Sequence, residues 1–220
     1  MKAAGAESNL RVLVTGGGSG VGMACAQAFA SRGAEVILTD HDGDALTHAA
    51  LQLNAFSRYC DAISDTSVAV FAAEVSARFA SIDVLINAAG QGYVRALAMT
   101  RMTKAMLPVI RRGSGRRLVI NIAAAGGFRE ADGMFPYASS IAAFDRLSEA
   151  LVDQVRGSSI DVVRITPTMV RSRPAAKPHG DQLYELQRVD EEDTARRIVE
   201  LVCAERPEWR RRPPSFSRRA

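Results

Sequence analysis

A doubly wound α/β fold, in which one parallel sheet is covered by helices on both faces, is what this sequence predicts, and three observations predict it. Short apolar runs alternate with helix-patterned segments from Leu10 to Cys203, the alternation that builds parallel sheets through helical crossovers. Two of those runs, Val84-Leu85-Ile86-Asn87 and Leu118-Val119-Ile120-Asn121-Ile122, are almost continuously apolar, as central strands buried on both faces are. The first run breaks into a cluster of glycines that leads straight into helix-forming residues.

That first unit carries the most information. The strand Arg11 to Val14 enters Thr15-Gly16-Gly17-Gly18-Ser19-Gly20-Val21-Gly22, and a helix is expected from Gly22 to Ser31. Glycines let backbone N–H groups approach a pyrophosphate, and the following helix turns its positive N-terminal end to the same anion. A second strand, Glu35 to Thr39, ends in Asp40. An acidic residue about twenty positions beyond the glycines is the expected partner of the adenosine ribose hydroxyls. A plain strand-to-helix turn does not require that acidic residue, so a dinucleotide-type site is expected. A carboxylate accepts hydrogen bonds from a ribose diol and repels a 2′-phosphate, so Asp40 favours NAD over NADP. Neither Ser19 nor His41 offers a fixed positive charge, and His41 reads as a surface residue.

The remaining elements follow in order. Helical patterning covers Gly43 to Leu53, Ser67 to Phe79, Ala96 to Arg111 and Tyr137 to Val155, and strands are expected at Ser57 to Cys60, Val84 to Asn87, Leu118 to Ile122 and Asp161 to Ile165. A last helix, Glu191 to Cys203, directs Ile198, Val199, Leu201 and Val202 toward the core. Ser172 to Asp181, with two prolines and a glycine, reads as a loop.

The 220 residues suffice for one core. Residues 1–9 read as a flexible N-terminus, 10–204 as the folded domain and 205–220 as a basic, mobile tail. The N-terminal segment lacks the apolar centre of a signal peptide, and no apolar run is long enough to span a bilayer. Cys25, Cys60 and Cys203 are odd in number and unclustered, which fits reduced thiols in a cytoplasmic protein and argues against zinc or a disulfide framework. The net charge of +4 is modest and owes much to the tail Arg210 to Arg219. No aromatic platform accompanies that tail, so it reads as solvated rather than nucleic-acid-binding.

Taken together, the motifs resemble those of the short-chain dehydrogenase/reductase family from about Leu10 to Val202. Thr15 to Gly22 is similar to the family's TGxxxGxG, Tyr59-Cys60-Asp61-Ala62 to the segment whose Asp meets the adenine amino group, and Asp83 to Gly90 to DVLINNAG. Tyr137-Ala138-Ser139-Ser140 resembles the start of YxxxK, and Pro167 to Ser172 stands in the place of PGxVxT. The resemblance implies a single Rossmann-like sheet of six strands ordered 3-2-1-4-5-6. It implies NAD contacts from Thr15, Gly16, Gly18, Ser19, Gly20, Val21 and Gly22, from Asp61 and Ala62, from Asn87, Ala89 and Gly90, and from Pro167, Val170 and Ser172. It also implies hydride transfer on a small alcohol or ketone, with Tyr137 as acid/base, no metal, and a homo- or hetero-oligomer with a subunit of the same family.

The proton-handling half departs from the family pattern. Ile141 stands four residues after Tyr137, where the family has Lys, and Ala124 stands thirteen before it, where the family has Ser. The relay Asn has no evident counterpart, because only Gln91 to Arg95 separate Gly90 from the next helical pattern. A phenol with its ordinary pKa of about 10 is ionised to about one part in a thousand at neutral pH, and loss of one oxyanion donor costs about two to three powers of ten in rate. Arg101, Lys104, Ser139 and Ser140 are candidate substitutes, but each has the plainer reading of a surface charge or a small residue at a helix crossing, and Glu130 and Asp132 read as a solvated loop rather than a carboxylate pair. Two functions are therefore expected to compete: an NAD-dependent oxidoreductase with weakened chemistry, and a cofactor-binding pseudoenzyme serving as a non-catalytic partner subunit or NAD sensor.

Overall fold

The computed structural model describes residues 10–90, 94–123, 135–167, 169–170 and 188–203, and the side chains of these except at 135–141, 169–170 and 188–189. The chain runs β1 (Arg11–Thr15), α1 (Gly20–Ala30), β2 (Glu35–Thr39), α2 (Gly43–Leu53), β3 (Phe56–Ser57), α3 (Asp65–Arg78) and β4 (Val84–Asn87). It continues through α4 (Arg95–Arg111), β5 (Arg117–Ile122), α5 (Phe135–Gln154), β6 (Ile160–Ile165), β7 (Met169–Val170), β8 (Arg188–Val189) and α6 (Glu191–Cys203). Among the described residues six strands form one sheet in the order β3-β2-β1-β4-β5-β6, every pair parallel. The expected order is borne out.

Alternation along each strand divides the core in two. Val12, Val14, Val36, Leu38, Val84 and Ile86 face one side, where Phe29 of α1 and Ile198 of α6 pack on them. Leu13, Ile37, Leu85 and Val119 face the other, beneath Phe71 of α3, Met102, Met106 and Ile110 of α4, and Leu151 of α5. Both faces of the central strands are therefore dry, which accounts for their lack of polar alternation.

Two expectations need adjustment. The third strand is only Phe56–Ser57, shorter than Ser57 to Cys60, because Tyr59 turns outward and is more than half exposed. The extended chain nonetheless stays tied to the β2 edge, with the Arg58 N–H donating to Leu38 O and the Cys60 N–H to Asp40 O, both at 3.0 Å. The antiparallel pair β7–β8 has no counterpart in the sequence reading, since two residues on each side carry no periodicity. Residues 1–9, the loop Ser172 to Asp181 and the tail from 204 onward lie outside the described residues. No described helix is long and apolar enough to cross a membrane.

Candidate cofactor and active site

In a doubly wound sheet the ligand crevice opens at the carboxyl ends of the strands, where the strand order reverses. Here that point lies between β1 and β4, flanked by the glycine turn. The turn is sterically committed to glycine at two places. A Cβ on Gly22 would stand 2.0 Å from Gly16 O, and Gly16, at φ +68°, would bring one to 2.9 Å from the Ala89 nitrogen. The first turn of α1 thus presses on the end of β1, and β1 presses on the segment after β4. Thr15, buried, completes the clasp: its Oγ1 accepts from the Ala88 and Ala89 N–H groups at 3.2 and 3.1 Å. Ser19 caps α1 in extended geometry without a side-chain hydrogen bond to it.

Asp40 leaves the end of β2 and is 6% exposed. Its Oδ2 accepts from the Gly18 N–H at 2.9 Å, and its Oδ1 from the Asp42 N–H at 3.1 Å. His41 Nδ1 lies 3.0 Å from the same Oδ1. One carboxylate thus spans the glycine turn and the start of α2. Beyond it opens a cavity of about 240 Å³ lined by Thr15, Gly16, Asp40, His41, Cys60, Asp61, Ala62, Ala89, Gly90, Val94 and Ala98, among others. The Asp61 carboxylate is partly used within its own turn, accepting from the Ile63 N–H at 3.0 Å.

The structure therefore gathers Thr15, Gly16, Asp40, Asp61, Ala62, Ala89 and Gly90 around one cavity, with Gly18, Ser19, Gly20, Val21 and Gly22 on the turn beside it. Asn87 is placed differently. It is buried, and its Nδ2 donates to Thr103 Oγ1 and to Asn121 Oδ1, each at 2.9 Å, while Asn121 Nδ2 donates to Ser148 Oγ at 3.2 Å. Asn87 is thus turned into the interior, where it joins β4 and β5 to α4. Pro167 follows β6 and is buried, Val170 belongs to β7, and Ser172 lies outside the described residues. Tyr137 and Ile141 fall in α5, their side chains outside the described set, as is Ala124. Ser139 and Ser140 share that placement, and Glu130 and Asp132 are not described.

Of the candidate substitutes, Arg101 is committed elsewhere: its Nε and Nη2 meet the two carboxylate oxygens of Asp65 at 2.5 and 2.9 Å. Lys104 is exposed on α4, in a groove against α5. A basic residue that the sequence reading passed over stands closer to the crevice. Arg95 opens α4, and its Nη1 donates to Ala88 O at 3.4 Å and to Ile122 O at 3.3 Å, bridging the carboxyl ends of β4 and β5. The signal for it was present only as the brevity of the connection after Gly90, where a Cβ would stand 2.7 Å from the Arg95 Cα. The short connection sets the start of α4 directly against the crevice, so Val94 and Ala98 become cavity wall.

Burial pushes the Cys25 thiol up to about 12 and raises that of Cys60 as well, so both stay protonated and unreactive at neutral pH. Among the described residues no group of three His, Cys, Asp or Glu side chains is placed to hold a metal ion.

Fold and crevice together have the form of a dinucleotide-binding domain, and comparison with known proteins gives the family. The family model of the short chain dehydrogenases matches residues 10–182. The chain belongs to the short-chain dehydrogenase/reductase family, whose members are oxidoreductases that bind NAD or NADP. It is 28% identical over 201 residues to the D-threitol dehydrogenase of Mycolicibacterium smegmatis, covering 79% of this chain and 76% of the relative. The NADP active-site complex of RhlG from Pseudomonas aeruginosa superposes with a TM-score of 0.76 at 24% identity over 92% of both chains. A family member from Burkholderia phymatum in complex with NAD gives 0.74 at 21% identity, over 88% of this chain and 85% of that one. At these identities the two structures speak for the fold.

Proposed function

We propose that this chain is an NAD-dependent oxidoreductase acting on a small alcohol or ketone, with Tyr137 as its acid/base residue and its chemistry weakened by the residues around that tyrosine. The observation that carries the cofactor half is Asp40, a buried carboxylate facing the cavity at the end of β2. The glycine turn fits the group, because Gly16 and Gly22 allow a close backbone packing that any Cβ would break, and that packing holds the turn at the edge of the cavity. Thr15, Gly16, Gly18, Ser19, Gly20, Val21 and Gly22 would hold the pyrophosphate, Asp40 the adenosine ribose, and Asp61 and Ala62 the adenine edge. Ala89 and Gly90 would border the remainder, and the resemblance assigns Pro167, Val170 and Ser172 to it; Asn87 would act only from beneath, through its bonds to Thr103 and Asn121. When bound, the nicotinamide ring supplies or accepts the hydride.

Tyr137 would exchange the substrate's hydroxyl proton. Ile141 brings it no positive charge and Ala124 brings the substrate oxygen no hydrogen bond, so neither the base nor the developing oxyanion is supported. That pair of residues supports a second reading, in which the chain binds NAD and serves as a non-catalytic subunit beside a related one.

Calorimetric titration of the purified chain with NADH, with NADPH as comparison, tests the first half. Micromolar NADH binding with weaker NADPH binding is expected, and no binding of either overturns the proposal. A substrate screen followed by Tyr137→Phe tests the second half. Turnover abolished by that change supports the oxidoreductase, and cofactor binding without turnover supports the non-catalytic subunit.

A further inference from the structure

We infer that the cavity is a site for adenosine 5′-diphosphates as a class, ADP and ADP-ribose included, which it takes as tightly as NADH because Arg95 lies over the seat of the nicotinamide half. The inference rests on the cofactor reading above and narrows it to the adenosine end. A sheet wound in two halves seats one mononucleotide on each, at the carboxyl ends of that half's strands. Here the two halves are unlike.

The half built on β1, β2 and β3 is open. Its cavity of about 240 Å³ is walled by the ends of β1 and β2, by the segments after β3 and β4, and by the start of α4. Among the described residues lining it, none comes from β5 or β6. Pockets that enclose a drug-sized ligand run from about 300 to 1,000 Å³, so this one has room for a nucleoside rather than for a dinucleotide. Its chemistry suits a nucleoside as well. Ala62, Ile63, Val94 and Ala98 offer apolar walls to a flat base, and Asp40 and Asp61 offer carboxylates to hydroxyl and amino groups.

The half built on β4, β5 and β6 is covered. Arg95 is partly buried, and its Nη1 donates to Ala88 O just beyond β4 and to Ile122 O at the end of β5, at 3.4 and 3.3 Å. The guanidinium therefore rests on the carboxyl ends of both strands, and it is held there. Gly90, at φ +92°, turns the chain so sharply that a Cβ would stand 2.7 Å from the Arg95 Cα. Farther along α4, Arg101 meets the Asp65 carboxylate and donates to Ile63 O on the cavity wall, while Thr103 Oγ1 accepts from Asn87. Withdrawing the start of α4 would break these bonds. A dinucleotide thus gains its adenosine contacts and little from its second half.

The test is calorimetric titration of the full chain with NADH, ADP-ribose and ADP. A seated nicotinamide ring, at the ordinary yield per atom for a ligand of this size, tightens binding about a hundredfold over ADP-ribose. The three dissociation constants are instead expected to agree within about tenfold, and NADH binding more tightly than that overturns the inference while leaving the cofactor reading intact. Saturation-transfer NMR on NADH with the unmodified chain reads the same point directly. Strong transfer to the adenine protons and little to the nicotinamide protons is expected, and equal transfer to both overturns the inference. Arg95→Ala should uncover the second seat and tighten NADH against ADP-ribose by about tenfold, with transfer to the nicotinamide protons now appearing. An unchanged ratio in that variant overturns the part given to Arg95. Absence of binding by all three nucleotides overturns the cofactor reading, and this inference with it.

Discussion

The Asn87 amide nitrogen donates to Asn121 Oδ1 at 2.9 Å across the two central strands β4 and β5, with both residues buried. The bond continues to Thr103 on α4 through Asn87 and to Ser148 on α5 through Asn121. One polar chain therefore fixes the register of two helices against the carboxyl half of the sheet, directly beneath the crevice. A buried network of this kind stabilises only when its members are all present.

Removing one member should accordingly cost more than its share. Asn121→Ala leaves the Asn87 amide and the Ser148 hydroxyl short of a partner, and an unsatisfied buried group costs about 1–3 kcal/mol. We expect a loss of about 2–3 kcal/mol by urea denaturation. The double variant with Asn87→Ala should lose less than the sum of the two single losses, since one bond is shared. Strict additivity would show that the bond contributes no coupling.

Gly22 and Gly43 make a matched pair of tests for the glycine turn. Gly22→Ala drives a methyl group against Gly16 O at 2.0 Å, so the turn must open. NADH affinity is expected to fall at least tenfold, with a loss of thermal stability. Gly43→Ala, at the start of α2, meets nothing within 4 Å and should leave binding unchanged while adding about 0.4–1 kcal/mol. Equal NADH binding by Gly22→Ala and the unmodified chain would refute a role for the packed turn in holding the cofactor.

The Cys25 thiol gives a pH-dependent prediction with a definite sign. Its folded value is raised from 9.0 to about 12 by burial, so between those values the unfolded thiol ionises and the folded one does not. The stabilisation is fully present below pH 9 and is lost as pH rises through the folded value, at about 1.4 kcal/mol per pH unit. Between pH 8 and 10 the unmodified chain should lose about 1.4 kcal/mol more than Cys25→Ala, as read from urea midpoints. Parallel losses in the two proteins would exclude the thiol as the cause.

Restoring the proton-handling residues should restore rate. Ala124→Ser with Ile141→Lys is expected to raise turnover by about two powers of ten, the usual worth of one positioned oxyanion donor, with little change in NADH affinity. Steady-state kinetics on any substrate found by screening would check this. An unmodified chain already turning over at about 10 per second, the middle of the ordinary enzyme range, would show that Ala124 and Ile141 do not limit it.

The fold was legible in the sequence to a useful degree. The spans Gly43–Leu53, Val84–Asn87 and Glu191–Cys203 agree at both ends with the expected ones, because an Asp42 cap whose side chain accepts from the Asp44 and Ala45 N–H groups, a continuous apolar run and an acidic first turn are local signals. The third strand was overextended, because Ser57 to Cys60 has strand-like composition while only Phe56 and Ser57 pair with β2. Asn87 was read from its motif as a cofactor contact, and its turn into the interior depends on Asn121, 34 positions away in the chain. Nothing near Asn87 encodes that partner.

The sequence by itself determined the order of the helices and of the six strands of the main sheet, the glycine turn at Thr15 to Gly22 and the acidic residue at the end of β2. Each of these depends on hydrophobic periodicity or on the backbone freedom of single residues, which are properties of neighbours along the chain. Tertiary structure alone decided that Asp40 ties Gly18 to Asp42 with His41 against it, and that Arg95 bridges Ala88 O and Ile122 O. It also decided that the start of α4 walls the crevice. These arrangements join side chains to backbone groups of other elements, and their geometry exists only once the parallel sheet has brought those elements to a common edge.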